Sequence, residues 1–355
     1  MNVIEVQTEQ DRIDFLNLPR ALYGRRHHQN TAVVRQFLEG SHPLSDTAEI
    51  RHFLLRRENQ VVGRMTLTAS PGLDTLFLGY FECIDAPACA NALFQRAREE
   101  ALRLGRTSVT GPVDVSFWVG YRLKQDQPDR VFMGEPQNLP YYPSLFEQGG
   151  FRLISQYSSH YYRAIPPDHA LTRFEQRRRL MQSRGIRLIH PDFREFDRYL
   201  EDIHGLLMEL YRDFPAFVPI SSKNFIAMFR DLKSISDPRL IVLAYDGELP
   251  VGFFISFPDY QNDLVQGSTV VRLIHLIRTR LWPRHIVLSY SGVRHGYEGL
   301  SGALYCETLE FLKAKGLPAV STLMQKGKVT SGFEKELIEA TTHYGLYRLD
   351  LDTSR

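Results

Sequence analysis

The feature that most constrains how this chain folds is a plan of elements that occurs twice along it. Residues 53–57, the polar turn Glu58-Asn59-Gln60 and residues 61–67 read as a strand, a tight turn and a second strand. Residues 240–245, the turn Asp246-Gly247-Glu248 and residues 251–257 repeat that hairpin. After each hairpin come a further strand (76–83, then 286–291), a helix closed by glycine (88–104 before Gly105, then 302–315 before Gly316) and a short strand (108–110, then 319–323). In the first of these helices Ala90, Leu93, Phe94, Ala97 and Ala101 fall on one face, as a helix packed on a sheet requires. Each half also begins with a helix pair, 11–23 with 32–38 and 193–211 with 223–232, so the unit is β-α-α-β-β-β-α-β.

The paired prolines of Ala164-Ile165-Pro166-Pro167-Asp168 interrupt the pattern and mark the boundary. The expected organisation is an N-terminal domain over 1–163, a linker and basic connecting helix over 164–185 (helix 171–183), and a C-terminal domain over 186–355. With 355 residues, 43% of them hydrophobic, each half has enough apolar surface for its own core. A formal charge of +2 is too small to imply a general polyanion-binding surface, and DNA is not an expected partner. The clusters Arg25-Arg26-His27-His28 and Arg177-Arg178-Arg179 read first as solvated faces. Cys83, Cys89 and Cys306 are an odd set without metal-site spacing and fit buried free thiols in a reducing compartment, with no metal. Acids and glutamines occupy the first fifteen residues, and nowhere do eighteen apolar residues follow one another, so the expected location is cytoplasmic.

That element order, with a glycine-rich turn between the fourth strand and the next helix, resembles the GNAT superfamily, whose members move an acyl group from coenzyme A to an amine. The strings Gly111-Pro112-Val113-Asp114-Val115-Ser116, Asn138-Leu139-Pro140-Tyr141-Tyr142 and Leu145-Phe146-Glu147-Gln148-Gly149-Gly150-Phe151 are similar to those of a family of tandem-GNAT bacterial proteins. So is Phe257-Pro258-Asp259-Tyr260-Gln261, followed by a basic amphipathic insert, a fourth strand and Gly292-Val293. The resemblance implies an α/β fold with an α+β type mixed sheet, arranged as two tandem GNAT-like domains. It also implies an N-acyltransferase using acetyl-CoA or another acyl-CoA on a small amine such as an amino acid or secondary metabolite.

A donor site of this kind rests on backbone N–H groups that point into a pyrophosphate from a turn and a helix N-terminus. The resemblance places it at Ser291, Gly292, Val293, Gly296, Tyr297, Gly299, Leu300, Ser301 and Gly302, with the donor carbonyl near 291–293. Glu298 stands where the family carries Arg or Gln, and its charge repels a pyrophosphate unless it points away or pairs with Arg294. The first half has Ile84-Asp85-Ala86-Pro87 at the corresponding place, with no glycine and with Asp85 reading as a helix cap. One donor site per chain is therefore expected, the N-terminal domain serving to shape the acceptor pocket or support its neighbour.

Many GNAT enzymes protonate the leaving thiolate with a tyrosine on the last helix; the matching positions here are Phe146 and Ile338, which carry no proton to give. Tyr290, Tyr344 and Tyr347 are the candidate substitutes, and Asp259 the candidate to hold or deprotonate the amine. Tyr260 with Asn138, Tyr141 and Tyr142 are the candidate acceptor contacts, facing each other across the domain boundary. The stretch 270–282, apolar with interspersed arginines, has three readings: a lid over an acyl chain, a contact with an anionic membrane, or a helix packed on the boundary. Two other functions stay open beside acyl-CoA transfer. One is a transferase fed by aminoacyl-tRNA, as in the Fem-type peptidyltransferases, or by an acyl carrier protein; the other is a catalytically degenerate binding protein.

Overall fold

The computed structural model describes residues 1–24, 31–126, 130–261, 269–326 and 334–351. Its first half runs β1 (Asn2–Glu5), α1 (Glu9–Tyr23), α2 (Thr31–Leu38), β2 (Glu49–Arg57), β3 (Gln60–Ala69), β4 (Thr75–Cys83), α3 (Pro87–Arg103), β5 (Ser108–Gly111), β6 (Leu123–Lys124), α4 (Tyr142–Gln148) and β7 (Arg152–Tyr162). After α5 (Thr172–Ser183) come β8 (Ile186–Ile189), α6 (Phe196–Leu210), α7 (Ser222–Phe229), β9 (Ile241–Asp246), β10 (Leu249–Pro258), α8 (Thr269–Leu281), β11 (Ile286–Val293), α9 (Leu300–Lys315), β12 (Ala319–Gln325) and β13 (Ile338–Asp350). The repeated unit is present in both halves. The cluster at 25–28 lies outside the described residues.

The thirteen strands among the described residues belong to one sheet, in the order β1-β2-β3-β4-β5-β13-β7-β12-β11-β10-β9-β8, with β6 added beside β13. The two halves exchange their last strands. β13 pairs antiparallel with β5 of the first half through Tyr347–Gly111 to Asp350–Ser108, and β7 pairs antiparallel with β12 of the second through Ala319–Tyr162 to Gln325–Tyr157. β7 and β13 then join each other from Ile338–Tyr162 to Arg348–Arg152, closing the sheet at its centre.

Helices cover both faces, which is why β3 is buried on both sides from Val62 to Ala69, its polar Arg64, Thr66 and Thr68 included, and why β10 reads as a nearly continuous apolar run. On one face α3 and α4 pack over the first half and α9 and α5 over the second, each on its own cluster of buried side chains. On the other face the helix pairs share a single cluster, in which Phe15, Val34 and Phe37 of the first half meet Leu200, Ile203, Leu206 and Phe225 of the second. The first helix is set by a capping box, Thr8 accepting from the Asp11 N–H while the Asp11 carboxylate accepts from the Thr8 N–H. Cys83, Cys89 and Cys306 are buried free thiols.

Three expectations need correction. Asp85 does not cap α3; the cap position is Ala86, with Pro87 opening the helix. Ile338 is not on a last helix but begins β13, and the place beside α9 that α4 takes beside α3 is filled by α5. The 270–282 stretch does form a helix, α8, but none of its described side chains is fully buried, as packing into a domain boundary would require.

Since β5 and β7 reach each other only through β13, the two halves should unfold together. The full chain is expected to melt in one transition by circular dichroism. Separate chains 1–163 and 164–355 should each lack a cooperative melt and regain it when refolded together. Two independent melts of the separate pieces would contradict a shared sheet.

Candidate functional site

β11 and β12 are parallel and paired only from Ile286–Ala319 to Leu288–Ser321. Beyond that point they part, leaving the edge of residues 289–293 turned away from any strand partner. Two local features produce the opening. An extra residue, Ser289, bulges β11 against β10, since Ile255 faces Tyr290 while the next residue, Ser256, faces Leu288. On the other side β12 is pulled toward β7, where the Leu323 N–H donates to the Ser159 hydroxyl at 3.0 Å. Along the free edge the Tyr211 hydroxyl donates to the Ser291 carbonyl (3.1 Å), and the Ser291 hydroxyl lies 3.2 Å from that of Tyr305.

β11 leads through the turn at 294–299 into α9. Gly299 sits at the cap with φ of 90°, in the left-handed region that favours glycine, so a side chain there strains the backbone with or without a ligand. Glu298 is exposed, and Arg294 is not its partner: the Arg294 guanidinium forms a two-point ion pair with Glu209. Arg177 of α5 reaches the turn from outside, its Nη1 3.0 Å from where a Gly299 side chain would begin and its Cγ 3.3 Å from the same point at Gly302. Of the basic run, Arg178 is taken by Glu307 and Glu310, and Arg179 leans toward Glu175; Arg177 alone overhangs the glycine turn. Tyr297 faces outward and donates to Asp246 at 2.8 Å.

Tyr290 is 43% exposed, and desolvation by the surrounding protein raises its pKa above the ordinary tyrosine value. The opposing influence on it is the charge of Arg122. Arg122 is a buried cation stacked on Tyr121 (3.6 Å to the ring centre) and Tyr157 (4.1 Å), and it donates to the Tyr121 hydroxyl. Its Nε has no hydrogen-bond partner, and among the described residues no carboxylate pairs with it. Sequence reasoning missed Arg122 and Tyr211, because nothing local shows that residues 112–122 of the first half reach the fourth strand of the second. The aromatic run Phe117-Trp118 carries that loop across: Phe117 packs on Tyr211, Phe214 and Phe217, and the Trp118 indole donates to the Val218 carbonyl at 2.7 Å.

In the first half the equivalent parting of β4 and β5 is closed by the chain itself. After the pairs Thr75–Ser108 to Phe77–Thr110, the Val113 N–H donates to the Leu78 carbonyl at 2.8 Å and the Asp114 carboxylate accepts from the Tyr80 N–H at 2.5 Å. Gly79 makes the insertion possible, since a Cβ there would lie 2.0 Å from the Val113 oxygen.

The other expected site residues are scattered. Asp259 accepts from the Met133 N–H (2.9 Å) and the Gln261 N–H (2.8 Å) on the rim of a surface cavity of about 670 Å³ that His285, Arg130 and Glu339 also line. Its own N–H donates to the His285 carbonyl. Tyr290 lies five positions along the chain from His285, which puts Asp259 on the order of 15 Å from that ring. Tyr260 is buried, donating to the Ile235 carbonyl. Asn138, Tyr141 and Tyr142 do not face Asp259 and Tyr260. Asn138 pairs through its amide with both backbone groups of Lys124, the Tyr141 hydroxyl donates to the Cys83 carbonyl, and that of Tyr142 donates to Glu82. Tyr344 is wholly buried and donates to Glu135 at 2.5 Å, while Glu135 also pairs with Lys124. Tyr347 is buried as well, accepting from Gln125. Of the three proposed proton donors only Tyr290 reaches the parted strands.

No family model matches the chain. A protein of Caulobacter vibrioides named bacterial ceramide synthase is 27% identical over 266 residues, which span 70% of this chain and 67% of that protein. Among solved structures, a tandem GNAT protein from the clavulanic acid biosynthesis pathway superposes over 100% of this chain and 99% of its own, with a TM-score of 0.52 and 13% identity. A GCN5-related N-acetyltransferase from Anabaena variabilis covers 97% of this chain and 72% of its own, with a TM-score of 0.51 and 9% identity. Over its whole length the chain has the fold of the tandem GNAT proteins.

Proposed function

We propose that the protein transfers an acyl group from an acyl-CoA to the amine of an acceptor at the parted strands of its second half. The observation that carries this reading is the difference between the two halves. The β11–β12 opening is free and leads to a glycine turn at a helix N-terminus, whereas the β4–β5 opening is filled by Val113 and Asp114. In this reading residues 1–163 and 186–355 are two units sharing one donor site, with 164–185 as the connection.

The donor would lie along the free edge of 289–293, its thioester carbonyl near Ser291 and its pyrophosphate at the turn 296–302, under Arg177. The amine nitrogen attacks the thioester carbonyl, the C–S bond breaks, and the thiolate takes the Tyr290 proton while the ammonium gives one to water. Tyr290 is protonated at neutral pH, and the Arg122 charge, which opposes the rise that desolvation causes in its pKa, favours release of that proton. Arg122 adds positive charge where the thiolate and the oxyanion develop. Asp259 is too far from Tyr290 to deprotonate the amine, and its place is in recognition of a remote part of the acceptor.

The relative named bacterial ceramide synthase directs the choice of acceptor, because a ceramide is an N-acylated long-chain amino alcohol. The first assay therefore offers an acyl-CoA with long-chain amino alcohols beside amino acids and other small amines, following thiol release and amide product. Amide formation is expected with at least one amine. Coenzyme A binding without amide across the panel would mark a binding protein instead, and absence of binding would end the acyl-CoA reading.

Two substitutions test the parts. Arg177→Gln should weaken coenzyme A binding by roughly tenfold in a calorimetric titration, with the melting temperature unchanged because the side chain is exposed. Tyr290→Phe should lower kcat by about a hundredfold with little change in KM for the acyl-CoA. An unaltered kcat would remove the tyrosine from the acid role.

A further inference from the structure

The second-half insert presents an inverted amphipathic helix. At about 100° per residue, Val270, Leu273, Ile274, Ile277 and Leu281 of α8 share an arc of roughly 100°, with Arg278 and Arg280 at its two edges. A helix on a protein surface ordinarily buries such an arc. Here it points outward: Val270 is 67% exposed, Ile274 58%, Leu281 60% and the following Trp282 71%. The half-buried side chains, His275, Leu276 and Thr279, lie on the opposite side, toward the body of the protein.

The charge pattern selects what meets that face. Residues 269–285 hold Arg272, Arg278, Arg280 and Arg284 with His275 and His285, and no acid. Packing two copies of α8 face to face would bring like charges together, whereas lipid phosphates complement them. An outward apolar arc edged by arginines, ending in an exposed tryptophan, is the arrangement of a helix lying in a membrane interface with its apolar side among the acyl chains. No helix of the described residues is long and apolar enough to cross a membrane. Contact in the plane of the surface is what α8 is built for.

We infer that α8 docks the protein on the surface of an anionic lipid bilayer. The two ends of the insert, Gln261 and His285, line the cavity of about 670 Å³, so the bilayer would lie beside the mouth of that cavity. The docking inference stands on α8 alone and does not depend on the reaction proposed above.

The test is co-sedimentation of the full chain with vesicles of phosphatidylcholine alone and of phosphatidylcholine with phosphatidylglycerol in equal parts. The expected result is binding to the anionic vesicles that weakens as salt is raised and falls by roughly tenfold or more in Ile274→Glu with Ile277→Glu and in Arg278→Glu with Arg280→Glu. Because Ile274, Ile277, Arg278 and Arg280 are exposed, both variants should keep the wild-type melting temperature and any acyl transfer to a water-soluble amine. Equal sedimentation of wild type and variants, or none with either vesicle, would overturn the inference. Self-association without lipid that the Ile274→Glu, Ile277→Glu variant abolishes would overturn it in favour of a second copy.

Discussion

The architecture depends on the exchange of the two last strands. Each half provides a hairpin, a fourth strand and a fifth, and in each the fifth strand has one edge still to be satisfied. β5 finds its partner in β13 and β12 finds its partner in β7, so each half completes the sheet of the other. The backbone bonds between β7 and β13 then lie at the middle of a sheet that neither half could close alone. Fixing the halves in one sheet also fixes the distance between the first-half loop at 112–122 and the second-half fourth strand, on which the candidate site relies.

That loop has two tasks. Its first residues lie along β4, where Val113 and Asp114 take the Leu78 carbonyl and the Tyr80 N–H that a donor would otherwise meet. It then turns back, Asp114 donating its N–H to the Gly120 carbonyl, and Val113 forms a bridge with Tyr121. The return brings Tyr121 and Arg122 toward Tyr290. The same chain that closes one opening runs toward the other, which gives a physical reason for the proposed donor site to lie in the second half.

Much of the fold was legible because periodicity and turn chemistry are local. The hairpins around Glu58 and Gly247, the helices ending at Gly105 and Gly316 and the helix pairs were placed within a few residues of where they lie. The longest central strands were not seen. Arg152–Tyr162 and Ile338–Asp350 are rich in Ser, Thr, Tyr and His without clean alternation, and their strand character comes from partners distant in sequence. The site was legible only in part for the same reason. The strand and turn of the proposed donor side are contiguous in sequence, and Tyr290 belongs to that strand. Arg122 and Arg177 reach it from other elements. Asn138, Tyr141 and Tyr142 formed a conspicuous string because the first half uses them internally, to hold β6 and the end of β4.

The electrostatics of the turn turn on the same point. A carboxylate at position 298, read alone, argues against a pyrophosphate. In the folded protein Glu298 faces solvent, where water screens it, whereas Arg177 overhangs the turn itself. Gly302 favours this approach, since the Arg177 stem lies against it, and a side chain there would press on that stem at 3.3 Å. The glycines of this region therefore shape the backbone at 299 and admit α5 at 302. Any affinity for phosphate then comes from the helix N-terminus together with an arginine from outside the motif, and it depends on the packing of α5 as much as on the turn sequence.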